Sequence, residues 1–191
     1  MLRQAHRQLQ ICARIRLARL CTMSQSKDKW ADIVKRLGMT RHPNENGFMS
    51  AILYDSPHQI SNPPAGQPLN SGNIVQFLFE EGNFSPWHRM RHSDEIWMHQ
   101  SGGTMQVHMI TNGQYSSKSF GPSDTLVVPA DTWYAAVVDK GADYCLYAEL
   151  VTPGFLPDNC EFGSVDLLNA LNITDELKTY LSSLLPSTSH S

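Results

Sequence analysis

Gly82-Asn83-Phe84-Ser85-Pro86-Trp87-His88-Arg89-Met90-Arg91-His92-Ser93-Asp94-Glu95-Ile96-Trp97-Met98-His99-Gln100-Ser101-Gly102 contains two strand-like runs joined by a polar turn. Side chains alternate between the faces of a strand, so His88 and Met90 share one face. After the turn Glu95 returns on the neighbouring strand. All three side chains can point to the same side of a sheet, and in a closed sheet that side is the interior. A histidine beside a carboxylate in such a place serves proton transfer or metal binding.

The short-period pattern extends on both sides of this stretch, from Asn73 to Thr152. Ile74 to Phe79, Met105 to Met109, Leu126 to Val128, Trp133 to Val138 and Tyr144 to Val151 read as strands. Turn signals separate them at Glu81-Gly82-Asn83, Ser101-Gly102-Gly103, Asn112-Gly113, Pro122-Ser123-Asp124 and Lys140-Gly141, with Asn112-Gly113 the strongest hairpin signal. Many short strands without intervening helices predict an all-β antiparallel barrel or double-sheet jelly roll. Helices flank it. One begins at Ser26, carries Trp30, Ile33, Val34 and Leu37 on one face, and ends at the C-cap Gly38. Ser164 and Thr174 are expected to cap two more, over Val165 to Leu171 and through Leu184. Between Arg41 and Gly72 the chain reads as loops around one strand, Met49 to Tyr54.

The 191 residues are 41% hydrophobic and 17% charged, a globular composition that suffices for one domain. Six of the fifteen Lys and Arg fall in residues 1–27 and none of the eighteen acids does, so the remainder carries nine cations against eighteen acids. An acidic body argues against nucleic-acid binding, and no apolar run long enough to span a membrane exists. Four cysteines without a CxxC pair argue against a zinc knuckle or a disulfide scaffold. Residues 1–23 are Arg-rich and acid-free, the profile of a mitochondrial presequence. The protein is expected to be mitochondrial if that extension is used and cytoplasmic otherwise. Residues 24–186 form the expected domain, and 187–191 a disordered tail.

The pattern G-x5-H-x-M-x4-E-x6-G, on Gly82, His88, Met90, Glu95 and Gly102, resembles the first motif of the cupins, which have a second His at the position of Met90. Their second motif finds its nearest match in Ser123, Pro129, Asp131 and Tyr134, with Tyr134 in place of a His. The longer runs Trp87-His88-Arg89, Ser93-Asp94-Glu95-Ile96-Trp97, Val127 to Ala136 and Val151-Thr152-Pro153-Gly154-Phe155, with Leu37-Gly38-Met39 and His42-Pro43 upstream, are similar to the cupin_5 (DUF985) family in the right order over roughly residues 30 to 165. The resemblance implies an RmlC-like double-stranded β-helix, a jelly-roll cupin barrel with short terminal helices, and a homodimer. It also implies that two of the four usual cupin metal ligands are missing. The chain departs from the family where the acid of an HPEGG stretch is displaced to Glu45, at Ala51 and Tyr54 (usually Glu and Arg), and at Met98 (often His). These departures are expected near the pocket.

The candidate acid–base set is His88 as base, Tyr134 as proton donor and Glu95 as the group orienting His88 and raising its pKa. The alternative partner of Glu95 is Arg89 or Arg91. Arg89, Trp97, Gln106, His108, Trp133, Tyr147 and Glu149 are candidate ligand-binding residues: polar groups and aromatics on strands that can line a barrel. For Gln106 and His108 the opposite orientation, toward solvent, is equally open, and Glu149 has an outward alternative. The resulting expectation is a barrel binding a small polar, carbohydrate-like metabolite, with no cofactor required, as an isomerase, epimerase or lyase. A second expectation is a metal-dependent enzyme such as a dioxygenase, using a divalent metal on His88 and Glu95 with help from His99 or His108. A third is a non-catalytic binding or scaffold protein.

Overall fold

A computed structural model describes residues 29–63 and 67–186. The basic extension, the helix start at Ser26 and the tail lie outside the described residues. Among these, helix α1 (Trp30–Leu37) begins at Lys29 without a side-chain cap and ends at Gly38 in the left-handed conformation, φ 62°. Its amide donates back to Lys35 and Val34, the stop that a C-terminal glycine provides.

Two antiparallel sheets face each other. The first joins β1 (Thr40–Arg41), β2 (Phe48–Met49), β4 (Asn73–Glu80), β11 (Tyr144–Thr152), β6 (Asp94–Gly102) and β9 (Thr125–Val128) in that spatial order, with β3 (Tyr54–Asp55) also paired to β4. The second runs β12 (Cys160–Phe162), β5 (Phe84–Met90), β10 (Trp133–Val138), β7 (Met105–Thr111) and β8 (Gln114–Phe120). Non-consecutive neighbours within each sheet are the mark of a jelly roll rather than a meander. Asn112 and Gly113 take φ of 51° and 74° at the β7–β8 hairpin, as a two-residue primed turn requires.

The expected strand from Met49 to Tyr54 is instead two pieces, β2 and β3, because Ala51, Ile52 and Leu53 loop out exposed between them. β8 carries no alternating apolar pattern in Gln114-Tyr115-Ser116-Ser117-Lys118-Ser119-Phe120; it is an exposed edge strand, polar on both faces. Ser164 does not cap its helix by side chain, and α2 is the shorter span Val165–Asn169, whereas Thr174 caps α3 (Asp175–Ser182) by accepting the Leu177 amide at 3.3 Å.

Period-2 alternation sorts the side chains into three apolar groups. Phe77, Phe79, Trp97, Met105, Val107, Phe120, Tyr134, Ala136 and Tyr147 fill the space between the sheets. Trp87, Ile110 and Ala135, on the outer face of the second sheet, pack under Leu168, Leu171, Leu181 and Leu184 of the C-terminal helical segment. Leu78 and Leu146, on the outer face of the first, pack under Ile33 of α1. The terminal helices therefore cover the two outer faces and leave the space between the sheets to the strands.

Candidate functional site

β5 turns Trp87 outward and His88 inward. The His88 ring is buried, and its Nδ1 lies 2.7 Å from the Pro86 carbonyl. A carbonyl only accepts, so Nδ1 carries the hydrogen and Nε2 keeps its lone pair in the neutral ring. Across the sheet His88 faces Tyr134, their ring centroids 4.2 Å apart. The sequence predicts that Glu95 raises the His88 pKa; burial outweighs that attraction, and the net shift is downward from 6.5. His88 is oriented by the Pro86 carbonyl, and its bonded partner is not Glu95.

Glu95, 1% exposed, rises from β6 into the same space. Its Oε2 accepts from the Tyr134 hydroxyl at 2.5 Å and the Trp97 indole at 3.4 Å, and the Glu149 carboxyl is hydrogen-bonded to Glu95 as well. Burial raises its pKa, opposed by His88, Tyr134 and Trp97 and reinforced by Glu45. Neither Arg89 nor Arg91 reaches it: both bond Glu161 instead, Arg89 through two nitrogens at 2.9 and 2.7 Å. Tyr134 keeps its proton firmly, because burial and then the charge of Glu95 push its pKa far up.

Glu149 projects from β11 in register with Trp97 of β6, so it lies diagonal to Glu95 on the same inner face. It is buried, not solvent-facing. Burial, then the neighbouring Glu95 and Glu45, hold it well above the ordinary carboxylate range, and its carboxyl is hydrogen-bonded to that of Glu95. Tyr147 stands two residues before it, stacked on Trp97 at 4.6 Å. Trp97, Tyr147 and Glu149 thus join His88, Glu95 and Tyr134 between the sheets.

Sequence reading overlooked Glu45. The six residues His42 to Gly47 form a strap between β1 and β2. The strap is tied by the Asn46 amide to the Phe84 carbonyl and by Arg41 to Glu80 at 2.8 Å. It carries the Glu45 side chain inward, 10% exposed, to the Ser85 hydroxyl, with His42 3.7 Å away. Burial raises Glu45 and lowers His42. The only signal was the displaced acid in His42-Pro43-Asn44-Glu45-Asn46-Gly47; two-residue strands have no periodicity from which to tell inside from outside. A cleft of about 220 Å³ lies beside the strap, lined by Asn44, Asn46, Phe84, Pro86, Ser183, Leu185 and Pro186.

Four expected ligand residues are not in the barrel interior. Arg89 and Trp133 stack on each other on the outer face of the second sheet, the guanidinium 4.4 Å above the ring, because they alternate with the inward His88 and Tyr134. Gln106 and His108 alternate with the inward Met105 and Val107. His108 lies under α3, bonded to Tyr115 at 2.9 Å and Tyr180 at 3.3 Å. Ala51 and Tyr54 are exposed and Met98 lies on the outer face of β6, so these departures from the family pattern are away from the interior.

A metal on His88 and Glu95 was to be completed by His99 or His108. The His99 Nε2 bonds the Gly103 carbonyl at 3.1 Å and His108 is outside the barrel. Among the described residues no three His, Cys, Asp or Glu stand as a ligand group. Cys145 faces the interior and Cys160 is half-buried, both free thiols pushed up to about 12 by burial.

The fold recurs in solved structures. A hypothetical protein from Leishmania major is 23% identical, with a TM-score of 0.68 over 80% of this chain and 96% of that one. A protein from Shewanella oneidensis is 24% identical, with a TM-score of 0.65 over 81% and 95%. More distant is Pac13, a nucleoside dehydratase from Streptomyces, at 15% identity and TM-score 0.45 over 64% and 82%. The comparison with curated proteins gives no match. Residues 31–163 match the cupin superfamily family DUF985, and the chain belongs to this Cupin_5 family.

Proposed function

We propose that the barrel performs acid–base chemistry on a small polar metabolite through its own side chains, as an isomerase, epimerase or lyase. The observation that carries this reading is the 2.7 Å contact of His88 Nδ1 with the Pro86 carbonyl, which leaves Nε2 as the basic nitrogen on an inner face of the barrel, as Glu149 is on the facing sheet. Burial lowers the pKa of His88 and raises that of Glu149, which favours a neutral base and a protonated acid, the two partners such a reaction needs. Nε2 takes a proton from a carbon made acidic by a neighbouring carbonyl, forming an imidazolium. In a lyase, the released electron pair forms a double bond and expels a β-hydroxyl, which leaves as water with the Glu149 proton; the imidazolium proton then returns to the carboxylate. In an isomerase or epimerase, a proton is returned to carbon instead. Tyr134, its hydroxyl committed to Glu95, positions that carboxylate rather than acting as the acid.

The test is proton exchange in D2O, followed by NMR, on a panel of monosaccharides, uronates and nucleosides. Carbon-bound deuterium is expected on at least one member, with a rate at least a hundredfold lower in His88→Gln and in Glu149→Gln. Exchange that both variants retain overturns the assignment. The stack of Phe79, Phe77, Tyr147 and Trp97 across the interior favours the second reading, a binding or scaffold barrel without chemistry. That reading gains if no panel member exchanges.

A further inference from the structure

The outer face of the first sheet carries an apolar band that crosses five strands. Tyr54 of β3 pairs with Ile74 of β4, Ile74 with Leu150 of β11, Leu150 with Ile96 of β6, and Ile96 with Val127 of β9. Val75, Tyr147, Trp97 and Leu126 of the same strands lie in the interior cluster, so alternation turns the band outward. Four strand spacings make it roughly 19 Å long. Ile74, Leu150 and Ile96 are half-buried, while Tyr54 and Val127 are 48% and 52% exposed. Ile52 and Leu53 stand exposed beside Tyr54. The adjacent row, Gln76, Ala148, Met98 and Thr125, is uncharged as well. A continuous apolar surface of this kind marks a docking face.

Its surroundings set the shape of what can lie on it. On one side α1 covers Leu78 and Leu146, four residues from Ile74 and Leu150 and so roughly 13 Å along the strands. On the other side the strands stop within two residues of the band, at Asn73, Thr152, Asp94 and Val128. Packed sheets stand about 10 Å apart, and a helix is about 10 Å thick. A sheet of the same outline, turned end for end, therefore lies on the band with its strand ends just short of α1.

We infer that this sheet belongs to a second copy of the chain, related to the first by a two-fold axis running along the band. Each residue of the band then faces its own counterpart, and α1 of each copy stands against the strand ends of the other. The charges there are complementary: residues 29–37 hold three cations and one acid, and Asp55 and Asp94 are exposed at the strand ends. A band roughly 19 Å long covers less than the ~800 Å² per partner of a stable dimer, and the two α1 contacts extend it. The second copy also backs the wall of the candidate site, because Ile96 stands between Glu95 and Trp97, and Leu150 follows Glu149.

Sedimentation of the full chain from roughly 1 to 100 μM reads the oligomeric state. A dimer is expected. Val127→Glu and Tyr54→Glu should each weaken it at least about a hundredfold, because the two-fold sets the new carboxylates against each other. Val165, equally exposed at 52% on α2, is the control, and Val165→Glu should leave the dimer intact. Cross-linking tests the face without a charge in it. Val127→Cys is expected to join its own counterpart through a bis-maleimide of about 10 Å, the separation of packed sheets. Its yield should exceed that of the unsubstituted chain and of Val165→Cys. A chain monomeric throughout overturns the inference, whether residues 1–28 or another protein then covers the band. A dimer that survives both glutamates, or that gives Val127→Cys no added yield, places the interface elsewhere and overturns it too.

Discussion

At the scale of the residue, the site depends on which polar atoms are satisfied and which are left over. Tyr134 donates a hydrogen bond of 2.5 Å to Glu95, and its removal leaves that carboxylate with the longer indole contact and the Glu149 carboxyl. Tyr134→Phe is therefore expected to lower stability at pH 7 by about 1–3 kcal/mol, the usual cost of stranding a buried acceptor. The loss should shrink in acid, where Glu95 takes up its own proton. Urea unfolding at pH 5 and pH 7 measures both; an equal loss at the two values would mean that Glu95 is already protonated. His88 and Glu95 were legible because a fixed spacing on adjacent strands puts both on one face. Glu149 was legible as a residue but not as an inward one: its neighbours Leu146 to Val151 are apolar on both faces, since α1 covers part of the outer side. Alternation is lost when both faces are buried.

At the scale of the element, strands and turns decide which side chains meet. Gly102 ends β6 at φ 93°, and a Cβ there would meet the Tyr144 carbonyl of β11 at 2.3 Å. Gly102→Ala combines backbone strain with a clash against a partner strand. It is expected to cost about 1–3 kcal/mol, read from the urea midpoint. Ser123 and Asp131 also hold positive φ, 70° and 64°, although neither is glycine. Asp131 is anchored there by its amide to the Met90 carbonyl. On the outer face, His108 of β7 meets Tyr115 of β8 and Tyr180 of α3, and burial lowers its pKa below 6.5. As pH falls through 6.5 the unfolded chain binds a proton that the folded chain resists, so folding weakens on the acid side and its full strength lies above 6.5. His108→Gln should flatten that part of the stability–pH curve. An unchanged slope between pH 5 and pH 7 would show that His108 titrates alike in both states.

At the scale of the whole molecule, the C-terminal segment closes the outer face of one sheet. Leu181 is fully buried, and its carbonyl accepts the Trp87 indole at 2.9 Å, one residue before His88. Leu181→Ala is expected to cost about 2–5 kcal/mol. Removal of the chain beyond Gly163 would bare Trp87, Ile110 and Ala135. The truncated protein should bind a hydrophobic dye and aggregate where the full chain does not, and a monodisperse, dye-silent truncation would show that α2 and α3 are dispensable. Exposed apolar side chains remain on the full chain at Ile52, Leu53, Tyr54 and Val127.

The strands β4 to β7 and β9 to β11, the hairpin at Asn112-Gly113, the terminal helices and the inward pair His88 and Glu95 were determined by sequence alone. They rest on local rules: period-2 alternation, turn residues with positive φ, helix stops and fixed spacings within adjacent strands. Which face of β7 and β10 looks inward was decided by tertiary structure, because Gln106, His108 and Trp133 suit a solvated face, a lined pocket or a helix-covered layer equally well until the C-terminal helices are in place. The arrival of Glu45 was decided there too, since a six-residue strap has no periodicity and its destination is set by Arg41, Glu80, Phe84 and Ser85, far apart in the chain. The net charge of the site followed in the same way. Sequence counts acids and bases, but only the fold places three of the acids inward and every described arginine toward the surface.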